Sequence, residues 1–196
     1  GRHAANFGLG AKGLSEELSK DGYTYTIEEC ADFIAAVIDR DTPEVREYQK
    51  ATRIEVLKRK RLVNDWGRVL SFEWDRMDDD TFRRAYAFIP QSSVPSIVNQ
   101  YGMIPLHHKI RKEGWRAAIN ANGHDSLLIS AHPQDAWQVY DFTRRALEQP
   151  RWYTAKRIEL MIPTEVKLGR SWSFEGGAEF KKPPTREEFE DAVVRL

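Results

Sequence analysis

Residues 115–131, WRAAINANGHDSLLISA, decide how the rest of the chain is read. Trp115, Ala117, Ile119 and Ala121 alternate with polar or small residues, and Leu127, Ile129 and Ala131 alternate again after a break. Alternation with period two marks half-buried strands, so the stretch predicts a hairpin around Asn122-Gly123-His124-Asp125. Such a turn carries an imidazole beside a carboxylate on a rigid strand pair, a way to hold a metal ligand within a fraction of an ångström. Asn, Gly and Asp are also favoured in tight hairpins for backbone reasons alone, which is the competing reading of the same four residues.

The chain has 196 residues, enough for one large or two small domains with a core. Its 30 basic and 30 acidic side chains cancel, which excludes a polycation. Any nucleic-acid contact must then come from local clusters. The single cysteine, Cys30, excludes an intramolecular disulfide and fits a reducing compartment. With neither an apolar run of membrane-spanning length nor a signal-peptide pattern, the expectation is a soluble, cytoplasmic protein. Gly1-Arg2 leads straight into patterned sequence, so the expectation is also a fragment of something longer.

Outward from the hairpin, the spacing Ile27, Ala31, Ile34, Ile38 predicts an amphipathic helix, with Thr26 as N-cap and Glu29 three residues on. A second helix is expected from Glu44, after Pro43, to about Lys60. It closes on Lys58-Arg59-Lys60-Arg61, which suits the negative helix end or contacts phosphate. Leu62 to Trp74 reads as two short strands around Asp65-Trp66-Gly67-Arg68. The acids Asp78-Asp79-Asp80 read as a solvated loop, because successive acids in a loop cannot converge on one ion. Thr81 to Pro90 and Gln91 to Lys109 read as consecutive helical pieces. Gln134 to Leu147 is amphipathic through Ala136, Val139, Tyr140, Thr143 and Leu147. Ile158 to Leu168 alternates across Pro163 and predicts one long strand at an edge or bulge. Pro183-Pro184 precedes a polar helix, Thr185 to Leu196. The class is α+β.

Several blocks, in order and at matching separations, resemble the C-terminal part of a family A (polymerase I-like) DNA polymerase. Phe7-Gly8 takes the place of the Tyr-Gly of the family's fingers helix, with Gly13-Leu14 and Leu18 following without a gap. Aligning Asn6-Phe7-Gly8 with the earlier Asn-Phe-Gly of that helix would instead force a deletion. In the gapless register His3 stands in the nucleotide sugar pocket, as in phage-type members. Pro43-Glu44-Val45 with Glu47-Tyr48 resembles the helix after the fingers, and Gly67-Arg68 the family's Gly-Arg hairpin. Arg83 followed eight residues later by Gln91 resembles the palm helix that touches primer and template; Ala87 replaces the usual Asn between them. His124-Asp125-Ser126 resembles the third catalytic motif, His-Asp-Glu. Pro163 to Trp172 resembles the closing strand.

The resemblance implies a palm, an antiparallel sheet with packed helices, over residues 62–196 with its C-terminal helix, and part of a helical fingers subdomain over 1–61. It implies template-directed DNA synthesis, nucleotidyl transfer from a dNTP to a primer 3′-hydroxyl by two Mg²⁺ ions. Asp125 would ligate metal, His124 would lie near the primer terminus, and His3, Phe7 and Gly8 would bind nucleotide. Arg83, Gln91, Arg68, Lys58 and Arg59 would contact the primer-template DNA. The second metal-ligand set, including the other catalytic Asp, and the fingers Lys would come from upstream sequence or a partner chain. The setting implied is a bacterial cell or phage-infected host. Other readings are a single-subunit RNA polymerase, and a non-catalytic nucleic-acid-binding remnant or half of a split polymerase. The structural alternatives residue by residue are a helix cap for Gln91, a satisfied turn residue for His124 and core for Phe7.

Overall fold

In a computed structural model of the protein, described over residues 8–153 and 158–196, the chain divides into two compact units, 1–93 and 94–196. The first begins with helix α1 (Ala11–Lys20) and α2 (Ile27–Ile34). The Thr26 hydroxyl accepts from Glu29 N while the Glu29 carboxylate accepts from Thr26 N, the reciprocal capping box expected from the sequence. The buried stripe differs from expectation: Cys30, Val37 and Ile38 are buried, whereas Ile27 is 55% exposed and Ala31 is exposed. From Ala35 to Asp41 the helix widens to π geometry.

Helix α3 (Glu44–Arg59) starts behind Pro43 and ends at Lys60, whose left-handed φ of 57° stops it. The chain returns as the antiparallel pair β1 (Arg61–Val63) and β2 (Val69–Ser71). Val56, Leu62, Phe72, Phe82, Ala85 and Tyr86 form the core of this unit.

Helix α4 (Asp79–Ile97) departs from expectation twice. The acidic run is the start of this helix and not a loop. Asp78 accepts from Thr81 N at 3.0 Å, and Asp79 and Asp80 sit in the first turn, where the helix dipole favours negative charge. The helix also runs through Pro90 without a break. Proline has no N–H to give the carbonyl four residues back, so Tyr86 O would be orphaned. Tyr48 Oη donates to that oxygen at 2.9 Å from helix α3, so the interruption is satisfied sideways.

The second unit follows α4 with a π-helical turn (Val98–Met103) and α5 (Ile104–Glu113). The predicted hairpin is present as β3 (Ala117–Asn122) and β4 (Leu127–Ala131), paired Asn122 with Leu127 and Ala117 with Ala131, with a bulge between Ile119 and Ala121. Helix α6 (Pro133–Leu147) is the amphipathic helix expected from Gln134, with Val139 and Thr143 buried. The long strand expected across Pro163 is instead two strands: β6 (Ile158–Leu160) pairs with β5 (Arg151–Tyr153), and β7 (Val166–Leu168) pairs with β8 (Ala178–Phe180). Pro163 cannot donate to a ladder, and the next residue is taken by a side chain, with Thr164 N and Oγ1 donating to Glu148 Oε1 at 3.0 and 2.9 Å. Helix α7 (Arg186–Arg195) begins with a second capping box, Thr185 with Glu188. Its Phe189 is 1% exposed, stacking on Tyr140 at 4.8 Å between ring centroids. Among the described residues no helix is long and apolar enough to cross a membrane.

Candidate active site

The hairpin is held at its base before its tip is considered. Arg116 donates from its backbone N and its Nε to Asp135 Oδ2, at 3.1 and 2.8 Å, and from Nη2 to Gln134 Oε1 at 2.8 Å. His132 N donates to Arg116 O at 2.8 Å. These bonds tie the start of β3 to the first turn of α6. At the far end Gly123 N donates to Ser126 O at 2.8 Å, which leaves His124 and Asp125 as the two tip residues.

Asn122 belongs to β3, and none of residues 122 to 125 has positive φ. The left-handed freedom that recommends Asn-Gly in primed turns is therefore unused. A Cβ at Gly123 would overlap Ser126 Oγ, which a rotation of that hydroxyl could relieve. The primed-turn preference thus does not account for an imidazole and a carboxylate at the tip. Both side chains are exposed, and among the described residues neither has a hydrogen-bond or ion-pair partner. A satisfied turn histidine would have one. Asp125 offers a hard carboxylate oxygen of the kind Mg²⁺ prefers. Among the described residues no three His, Cys, Asp or Glu side chains gather to hold a metal ion, so Asp125 fits one corner of such a site and not a whole one.

The other candidates described lie in the first unit. Gly8 has φ +84°, and a Cβ there would meet Tyr86 Cδ2 at 2.9 Å and Arg83 Cγ at 3.5 Å. Only glycine lets this backbone lie against α4, so the structure brings Gly8 and Arg83 together. Arg83 forms an ion pair with Asp80, and its side chain keeps 40% exposure. An exposed pair of this kind is worth roughly 0–1 kcal/mol, a weak hold that a phosphate or base edge can outcompete. Gln91 is exposed in the interior of α4, so it caps nothing, and among the described residues its amide is unpaired. Arg83, Ala87 and Gln91 form one inclined stripe, its ends about 12 Å apart along the axis at 1.5 Å per residue.

Arg68 is exposed beside Gly67, whose φ is +78°. Buried Asn64 builds that turn: its Oδ1 accepts from Trp66 N at 3.0 Å and Arg68 N at 2.9 Å, and its Nδ2 donates to Ser92 Oγ at 2.9 Å. Lys58 and Arg59 close α3, where Arg59 pairs with Glu55 at 3.1 Å and Lys58 is exposed. His3 and Phe7 lie outside the described residues.

Glu148, at the end of α6, accepts from Thr164 and pairs with Arg144 at 2.8 Å. Burial pushes its pKa up, but the Thr164 N–H, the Thr164 hydroxyl and Arg144 together hold it below the usual carboxylate value. A depressed folded-state pKa contributes stability above the unfolded value, and that stability is lost as pH falls through the folded one. Melting of the wild type should therefore fall more steeply with acid below about pH 4.3 than melting of Glu148→Gln. Parallel curves would refute the coupling.

Asn64 and Asn99 carry no signal in the sequence, and Tyr48 carries one only within the Glu47-Tyr48 block. Asn64 reads as an ordinary turn residue, and Tyr48 acts on a carbonyl 38 residues away. Asn99 accepts from Asn122 Nδ2 just before the tip, across 23 residues. No local periodicity encodes such partners.

The fold has a solved counterpart. The chain is similar to the POL domain of Pol1 from M. smegmatis, in complex with DNA primer-template and dNTP, with a TM-score of 0.66 and 22% sequence identity. The match covers 74% of this chain and 25% of the other, so the chain spans about a quarter of that protein's length. No family model and no curated protein matches the sequence. The chain has the α+β fold of polymerase fingers and palm.

Proposed function

We propose that this chain is the fingers-and-palm part of a template-directed DNA polymerase, transferring a nucleotide from a dNTP to a primer 3′-hydroxyl. The single observation that carries the reading is the exposed, unpartnered His124-Asp125 tip on a braced hairpin, in a chain with this fold. Its subdomains are fingers over 1–61 and palm over 62–196. Asp125 would ligate Mg²⁺, with the remaining carboxylate ligands and the fingers Lys supplied by upstream sequence or a partner chain. When bound, such ions would activate the attacking hydroxyl and neutralise charge on the leaving pyrophosphate. His124 positions the primer end. Arg83 and Gln91 present donors to the minor-groove acceptors of the terminal pairs, which are nearly independent of sequence and so report pair geometry. Arg68, Lys58 and Arg59 contact phosphate, a salt-sensitive term. Gly8 lets backbone approach the nucleotide, with Phe7 stacking and His3 in the sugar pocket, a phage-type arrangement.

The deciding assay is primer extension by the chain joined to sequence carrying the second Asp and the Lys, with dNTPs and with rNTPs. Extension with dNTPs supports the reading; preference for rNTPs would make it an RNA polymerase. The absence of a three-ligand cluster among the described residues favours one second reading, a binding module without chemistry. DNA binding with no extension in any Mg²⁺-containing condition would establish that instead.

Gln91→Ala should lower extension from a matched primer about tenfold by removing one discriminating contact of 1–3 kcal/mol. Its melting temperature should stay put, because the exposed amide has no partner to lose. An unchanged extension rate would remove Gln91 from the DNA interface.

A further inference from the structure

The tip of the β3–β4 hairpin is gripped on both strands by one irregular turn of helix. Val98–Met103 has π geometry, an insertion into helical spacing that recurs at functional positions. Asn99 on that turn accepts from the Nδ2 of Asn122, the last residue of β3, and Met103 Sδ lies 3.8 Å from the same nitrogen. Gly102 on the same turn faces the other strand, where an added Cβ would stand 3.3 Å from Leu127 Cδ1 and 2.8 Å from Leu147 Cδ2. Asn122 and Leu127 pair with one another and are the last paired residues before the tip. The bulge between Ile119 and Ala121, two residues before Asn122, re-aims the end of β3, as bulges beside sites do.

We propose that the π turn Val98–Met103 clamps the His124-Asp125 tip, with Asn99 as a positioning residue through Asn122 and Gly102 as the close contact to Leu127. This rests on the reading of the tip as the metal-bearing site. An exposed carboxylate on a two-residue turn has no contacts of its own to hold it, and so inherits its position from the residues on either side. The side-chain bond to Asn122 fixes one side, and the packing of Leu127 against a residue without a side chain fixes the other. Asn99 and Gly102 lie three residues apart on the π turn that meets both strands.

The test compares Asn99→Ala with Asn99→Asp, which keeps an acceptor for Asn122 Nδ2, in the 196-residue chain. By NMR, amide exchange of Gly123 should quicken about tenfold in Asn99→Ala and stay near wild type in Asn99→Asp. The melting temperature should be the same in both. Mn²⁺-induced broadening of the His124 ring signals, a probe of metal at Asp125, should weaken only in the Ala variant. Unchanged Gly123 exchange in Asn99→Ala, or equal loss in both variants, would overturn the clamp. In the extension assay kcat should fall about tenfold in Asn99→Ala with KM for dNTP unmoved. If Asp125→Asn abolished extension while Asn99→Ala altered neither exchange nor kcat, the clamp alone would fail. If Asp125→Asn extended normally, the active-site reading would fail and the exchange data would judge the clamp.

Discussion

Asp125→Asn is expected to reduce nucleotidyl transfer by about a thousandfold or more, roughly 4 kcal/mol of lost transition-state stabilisation. The substitution keeps the side chain's size and one oxygen, and removes only the charge that a hard divalent ion requires. It should leave the fold untouched. The carboxylate is exposed and has no partner among the described residues, so no bond is broken and stability should shift by no more than about 0.5 kcal/mol. Catalysis and stability therefore separate at this residue, which is what distinguishes a ligand from a structural turn acid. The measurement is single-turnover extension alongside a melting curve. A variant that melted early and lost activity in proportion would point to turn architecture, and one that kept its rate would end the metal-ligand assignment. His124→Ala should cost less, because an imidazole near the primer end positions and does not carry the metal charge.

What the sequence made legible was mostly local. Thr26 with Glu29, Pro43 before Glu44, and alternation on both sides of residues 122–125 are signals contained within a few residues, and the structure has each of those elements. The failures at the two prolines share one cause, a partner far along the chain. Pro90 reads as a helix boundary because the oxygen it orphans is invisible without Tyr48. Pro163 reads as an edge residue within one strand because the claim of Glu148 on Thr164 is invisible too. Ile27 fits the helical period and is nonetheless exposed, while Cys30 is buried in its place. For the candidate site, residue types at the tip were readable and their isolation was not. That His124 and Asp125 have no partner among the described residues is a property of the folded chain alone.

Phe189→Ala should destabilise the second unit by about 3–5 kcal/mol, the usual cost of emptying a buried aromatic site. For a unit of this size that is a drop on the order of 15 °C in melting temperature. Helix α7 reads as polar from its sequence, and Phe189 is its one fully buried large side chain, stacked on Tyr140 and edge-on to Trp137 at 5.5 Å between centroids. Truncation leaves a void between α6 and α7, and the ion pair Arg186 with Glu190 lies within α7 and does not tie the helix to the unit. The helix would then fray from the unit. Its detachment should not abolish extension below the new melting temperature, because Arg116, Asp135, Asn99 and Asn122 hold the hairpin independently of Phe189. Calorimetry of the variant, paired with extension rates at low temperature, tests both halves. A small melting shift would mean that α7 contributes little to the core. Loss of extension in a still-folded protein would mean that the C-terminal helix reaches the chemistry by a route other than stability.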